Sequence, residues 1–158
     1  MSVQFSSTAE KEFQAVLTRY PTKQAAILPT LWMAQREFGF LSPAVMEYVG
    51  DLLELSPAYV GGVATFYTMF YKEPMGRCHV QVCTNLSCTL VGANTIVRSL
   101  ETKLGVKVGE TTPDKQFSLS EVECLGSCGT APVVQVNDDY YENQTPQSAL
   151  TLMDDLSK

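Results

Sequence analysis

Arg77-Cys78-His79-Val80-Gln81-Val82-Cys83-Thr84-Asn85-Leu86-Ser87-Cys88 interrupts a chain that is helical in pattern up to that point. Residues 77–82 alternate as a half-buried strand does, with Cys78, Val80 and Val82 on one face and His79 and Gln81 on the other. That alternation makes Cys78 a core thiol and leaves His79 for the surface or a partner contact. Cys83 ends the strand, and Cys88 follows after four intervening residues.

Upstream, helix starts are frequent. Ser7 and Glu10 read as a capping box that opens a helix bearing Phe13, Val16, Leu17 and Tyr20 on one face and stopping at Pro21. A helix over residues 22–38 ends at Gly39, and Pro29 inside it should kink or divide it. Ser42-Pro43 and Ser56-Pro57 each place a hydroxyl cap before a proline, opening helices over residues 43–54 and 57–70. Gly61-Gly62 within the last of these suits close helix packing better than nucleotide binding.

Downstream, a helix over residues 89–104 ends at Gly105. Strands follow over residues 117–123 and 133–137, with a turn at Asp138-Asp139 and a returning strand over residues 140–142. Thr145-Pro146 opens a last helix with Leu150, Met153 and Leu156 on one face. The fold class is therefore α+β, with residues 1–75 as an N-terminal helical bundle and residues 76–158 as a mixed sheet with flanking helices.

A second cysteine pair, Cys124 and Cys128, has three intervening residues and sits at the end of the second strand. If the two strands are neighbours, four sulfurs converge at one sheet edge. Four thiolates at one point need a cation. Zinc would take them as a tetrahedron, and an iron–sulfur cluster would take two sulfurs on each iron. Zinc ribbons use shorter knuckles, so these gaps suit a binuclear cluster, yet zinc stays open on spacing alone. A Rieske centre needs two histidines, and the chain has one. A thioredoxin-type dithiol needs C-x-x-C, which neither pair has. Backbone N–H groups should face the sulfurs, with Gly126 and Gly129 allowing close approach and Thr84, Ser87, Ser127 and Thr130 offering hydroxyls.

Composition narrows the functional classes. A net charge of −6 with scattered basic residues excludes a phosphate-backbone partner. The start of the chain carries no basic stretch leading into an apolar one, as a secretory signal would. The longest apolar-rich segment, residues 60–71, is too short to span a bilayer. The chain thus reads as cytoplasmic, without direct membrane insertion. Five cysteines do not form a fully paired disulfide framework. No general acid, base, nucleophile or phosphate-cradling loop stands out, so no independent turnover is expected.

The two cysteine pairs in their context, Cys83-Thr84-Asn85-Leu86-Ser87-Cys88 and Glu123-Cys124-Leu125-Gly126-Ser127-Cys128, with Ala131-Pro132, Asn137-Asp138 and Gly62-Val63-Ala64-Thr65-Phe66-Tyr67, resemble one family. It is the thioredoxin-like [2Fe–2S] family of respiratory complex I, the bacterial NADH–quinone oxidoreductase. The resemblance spans nearly the whole chain. It implies a thioredoxin-like fold for residues 76–158 and one [2Fe–2S] cluster on Cys83, Cys88, Cys124 and Cys128. It implies an oxidoreductase component beside a partner that binds NADH, FMN and a [4Fe–4S] cluster, within the peripheral arm of complex I and so peripheral to the inner membrane. Subunits of NAD-linked hydrogenases and formate dehydrogenases share the module and stay open as alternatives, as does a structural zinc scaffold or a thiol oxidoreductase. Phe66, Tyr67, Phe70 and Tyr71 would lie on a helix, partly core and partly docking surface. The resemblance leaves open whether Ala131-Pro132 is cis.

Overall fold

Two groups of apolar side chains gather separately along the chain, one on each side of residue 75. The computed structural model describes residues 3–158; Met1 and Ser2, where the start read for a signal begins, lie outside the described residues. The chain forms two compact units, Met1–Pro74 and Met75–Lys158.

Among its described residues the first unit holds four α-helices: α1 (Ser7–Leu17), α2 (Ile27–Phe38), α3 (Pro43–Leu53) and α4 (Pro57–Phe66). The Ser-Pro starts of α3 and α4 form as read, with the Ser42 and Ser56 hydroxyls each accepting an amide proton, from Val45 and Tyr59, at 3.3 Å. The cap of α1 shifts by one residue: Ser6, not Ser7, is extended and accepts from the Ala9 amide. Its last helical residue is Leu17, ahead of Pro21. Pro29 neither kinks nor divides α2. It is the third helical residue, where an N–H has no intrahelical acceptor to lose, and the break falls before it, at a 3-10 turn over Gln24–Ala26.

α4 is shorter than its aromatic run suggests. Tyr67 turns extended, and the chain folds back so that Phe70 is fully buried, edge-on to Trp32 at 5.6 Å between ring centroids. Buried Gln35 holds this return, accepting from the Tyr71 amide at 2.7 Å and donating to the Met69 carbonyl at 3.0 Å. Phe66, by contrast, is exposed. The expectation of close packing at Gly61-Gly62 is corrected: a Cβ at either would meet nothing within 4 Å. Among the helix glycines of this unit the tight one is Gly50 on α3, where a Cβ would lie 2.9 Å from the Leu55 carbonyl oxygen.

The second unit is built on a four-stranded sheet of β1 (Cys78–Cys83), β2 (Phe117–Val122), β3 (Val134–Val136) and β4 (Asp139–Tyr141), in the order β2-β1-β3-β4. β1 runs parallel to β2 and antiparallel to β3. Being interior, β1 is buried along its whole length, which corrects the half-buried reading. Cys78 is a core thiol as read, but His79 is not at the surface: it is 4% exposed, with Nε2 2.8 Å from the Ser120 hydroxyl.

The single helix expected over residues 89–104 is two, α5 (Leu86–Leu90) and α6 (Ala93–Leu104), parted by Gly92 at φ +104°. Gly105, at φ +68°, ends α6. β2 stops at Val122, so Cys124 lies in the loop beyond it. The β3–β4 turn is at Asn137-Asp138, one residue earlier than expected, because Asn137 takes a positive φ of 53°. The Ala131-Pro132 bond is cis. α7 (Pro146–Leu156) starts from a Thr145–Ser148 capping box and buries Ala149 and Met153. No helix among the described residues is long and apolar enough to cross a membrane.

Candidate metal centre

Three strand ends set the position of the first cysteine pair. Cys83 closes β1, its amide donates to the Val133 carbonyl at 3.1 Å, and the next amide, Thr84, donates to Val122 of β2 at 3.1 Å. Asn85 then caps α5 through its side chain, which accepts from the Leu86 amide at 2.7 Å. The Thr89 hydroxyl donates to the Thr84 carbonyl at 2.8 Å, closing the turn that carries Cys88. Cys83 and Cys88 are buried.

Cys124 and Cys128 are exposed, on the loop that leaves β2 and ends in a 3-10 turn over Cys128–Thr130. Gly126, at φ +73°, bends this loop so that its amide donates to the Cys124 sulfur at 3.3 Å. Of the two glycines only Gly126 takes a positive φ, and a Cβ at either would meet nothing within 4 Å, so close packing of the chain does not require them.

The loop and the strand end bring the two pairs together. Burial acts to raise the Cys83 thiol, but the backbone N–H groups of Asn85 and Leu125 and the thiols of Cys88 and Cys124 outweigh it and hold Cys83 below the usual thiol range. Burial pushes the Cys88 thiol up, helped by its bond to Cys83 and by the like charges of Cys83 and Cys128, against the Val133 amide. Cys88 and Cys124 thus act directly on the Cys83 sulfur, and Cys128 is felt at Cys88 as a nearby like charge. Among the described residues, no three His, Cys, Asp or Glu side chains are disposed as ligands of a single metal ion.

Chemically this is an all-sulfur donor set, half buried and half at the surface, with N–H groups from Asn85, Leu125, Gly126 and Val133 directed at it. Such a set suits a binuclear iron–sulfur cluster, with two thiolates per iron and amide hydrogen bonds balancing its negative charge. The hydroxyls expected to face sulfur go elsewhere in part. Ser127 donates to Glu142 at 2.6 Å, and the Thr130 hydroxyl lies 2.6 Å from Ser127 Oγ. Sequence reasoning had no signal for Glu142, nor for Tyr140, whose hydroxyl donates to the Leu125 carbonyl at 2.9 Å.

The family model of the thioredoxin-like [2Fe–2S] ferredoxin matches residues 13–157. The chain belongs to that family. Among its relatives, an E-type NADH-quinone oxidoreductase subunit of Rhizobium meliloti is 49% identical over 136 residues, covering 86% of this chain and 81% of the relative. The E-type NADH-quinone oxidoreductase subunit of Rickettsia bellii is 47% identical over 144 residues, covering 89% and 86%. Among solved structures, an NAD+-reducing [NiFe]-hydrogenase in its air-oxidised state superposes with a TM-score of 0.73 at 18% identity. That match covers 83% of this chain and 22% of the hydrogenase chain, and it shows shared fold. The family's cofactor is one [2Fe–2S] cluster.

Proposed function

We propose that this chain is the [2Fe–2S] subunit of an NADH–quinone oxidoreductase, with Cys83, Cys88, Cys124 and Cys128 as the four ligands, all within residues 76–158. The observation that supports the ligand assignment is the placement of both pairs at one end of the sheet, where Cys83 ends β1 opposite Val122, Cys124 lies two residues beyond it, and the Gly126 amide donates to the Cys124 sulfur. When bound, the cluster supplies one-electron transfer. The residues do the rest. Buried Cys83 and Cys88 anchor it against the strand ends, and exposed Cys124 and Cys128 bring it to the surface, where an electron can pass to or from a partner. The amides of Asn85, Leu125, Gly126 and Val133 stabilise the added negative charge of the reduced state.

The partner in this reading is the subunit that binds NADH and FMN and carries a [4Fe–4S] cluster, in the peripheral arm of the complex on the cytoplasmic side of the inner membrane. This chain would exchange one electron with that flavin and has no turnover alone. The names of relatives at 47–49% identity support it. Co-purification from the source cell should recover that flavoprotein and quinone-linked subunits; recovery with hydrogenase or formate dehydrogenase subunits would redirect the assignment.

Purified protein should be red-brown, contain iron and sulfide in equal amounts, and bleach with dithionite. Colourless protein with one zinc per chain would overturn the reading. Cys124→Ser should lose the cluster or change its reduced-state EPR spectrum, and an unchanged spectrum would remove Cys124 from the ligand set.

A further inference from the structure

The loop over residues 123–130 carries two of the four thiols, and its only regular structure is the short 3-10 turn at its end. What ties it down is the strand β4 and the residues after it. The Tyr140 hydroxyl donates to the Leu125 carbonyl at 2.9 Å. Glu142 accepts from the Ser127 hydroxyl at 2.6 Å, and the Asn143 amide donates to the Thr130 carbonyl at 2.8 Å. Leu125 directly follows Cys124, and Ser127 directly precedes Cys128.

The Leu125 carbonyl belongs to the same planar peptide as the Gly126 amide, which donates to Cys124 Sγ at 3.3 Å. Fixing one end of that plane fixes the other. A hydroxyl donating to the carbonyl also polarises the amide and strengthens its N–H as a donor. Gly126 has the widest backbone freedom of any residue type, so without the anchor this peptide can rotate away.

We infer that Tyr140 is a positioning residue that, acting through the Leu125–Gly126 peptide, aims the Gly126 N–H at the Cys124 sulfur and so tunes the reduction potential of the cluster, while Glu142 fixes the Cys128 end of the loop through Ser127. The inference rests on the proposed ligand set. An N–H directed at a ligand sulfur stabilises the more negative, reduced state, so losing it disfavours reduction.

The test is Tyr140→Phe, which removes only the hydroxyl of a half-exposed side chain. Reduction of the full-length protein should become about threefold less favourable, or roughly 30 mV lower at 59 mV per decade for one electron. The Gly126 amide should exchange hydrogen faster in the cluster-free protein, a readout independent of the metal. Glu142→Gln keeps an acceptor for Ser127 and should retain the cluster against an iron chelator at the wild-type rate, whereas Glu142→Ala should lose it about threefold faster. Wild-type potential and wild-type Gly126 exchange in Tyr140→Phe would overturn the inference while the ligand set stands. Wild-type protein without iron and sulfide would instead overturn the functional reading, and this inference with it.

Discussion

Burial lowers the pKa of His79 from 6.5 to about 4, because the ring lies inside the central strand with Ser120 at 2.8 Å. As pH falls below 6.5 the unfolded chain takes up this proton and the native chain does not, so acid favours unfolding. The stabilisation is complete above pH 6.5 and is lost progressively down to about pH 4, a change on the order of 3 kcal/mol. Urea midpoints at about pH 7.5 and about pH 5 should therefore differ less in His79→Gln than in the wild type. Equal losses in both proteins would show that the histidine does not carry the effect. Its neighbour Cys78 is a core thiol outside the two cysteine pairs, 5% exposed. Cys78→Ala should cost about 1–2 kcal/mol in denaturant unfolding as a small cavity and leave the reduced-state EPR spectrum unchanged. A changed spectrum would bring Cys78 into the site.

Two glycines on successive helices should respond with opposite signs. On α3, a Cβ at Gly50 would lie 2.9 Å from the Leu55 carbonyl oxygen, a backbone atom that the turn into α4 holds through the Leu55 amide bonded to the Gly50 carbonyl at 2.9 Å. Gly50→Ala must displace that turn and should destabilise by about 1–2 kcal/mol, overcoming the usual helical gain of alanine. On α4, Gly62 faces open space, so Gly62→Ala should stabilise by up to about 1 kcal/mol. Thermal unfolding of the two variants checks both signs, and stabilisation by Gly50→Ala would contradict the tight approach. The capped starts need no such competition: Ser42, Ser56 and Thr145 act locally, which is why their helices begin where their sequences indicate.

For the whole molecule, the cluster and the folding of Met75–Lys158 should be linked. Its proposed ligands come from the end of β1, from α5 and from the loop after β2, so binding favours the state in which those elements are assembled. Chelation with reductant should lower the melting temperature, by about 4–8 °C for each kcal/mol of binding energy lost in a unit of this size. Protease cleavage in the exposed segment over residues 123–129 should rise with it. Identical melting curves with and without the cluster would mean that the apo fold is already held without help.

The α+β class, the three helix starts marked by a hydroxyl residue before proline and the two cysteine pairs were legible in the sequence because each depends on short-range features: a hydroxyl cap, a proline in the first turn, a change of period, a spacing of thiols. Family membership was legible because the Cys83–Cys88 and Cys124–Cys128 contexts are distinctive strings. What lay beyond reach depends on neighbours distant in the chain. His79 is buried because β2 and β3 flank β1 on both sides, and periodicity within one strand carries no record of its place in a sheet. α4 ends at Phe66 because Gln35 captures the backbone at Met69 and Tyr71. Gly50 rather than Gly61-Gly62 is tight because the turn after α3 doubles back over it. That β1 and β2 are neighbours, the condition for the two cysteine pairs to meet, and that Tyr140 reaches the peptide between Leu125 and Gly126 were likewise decided by the tertiary structure, since only the sheet brings these segments together.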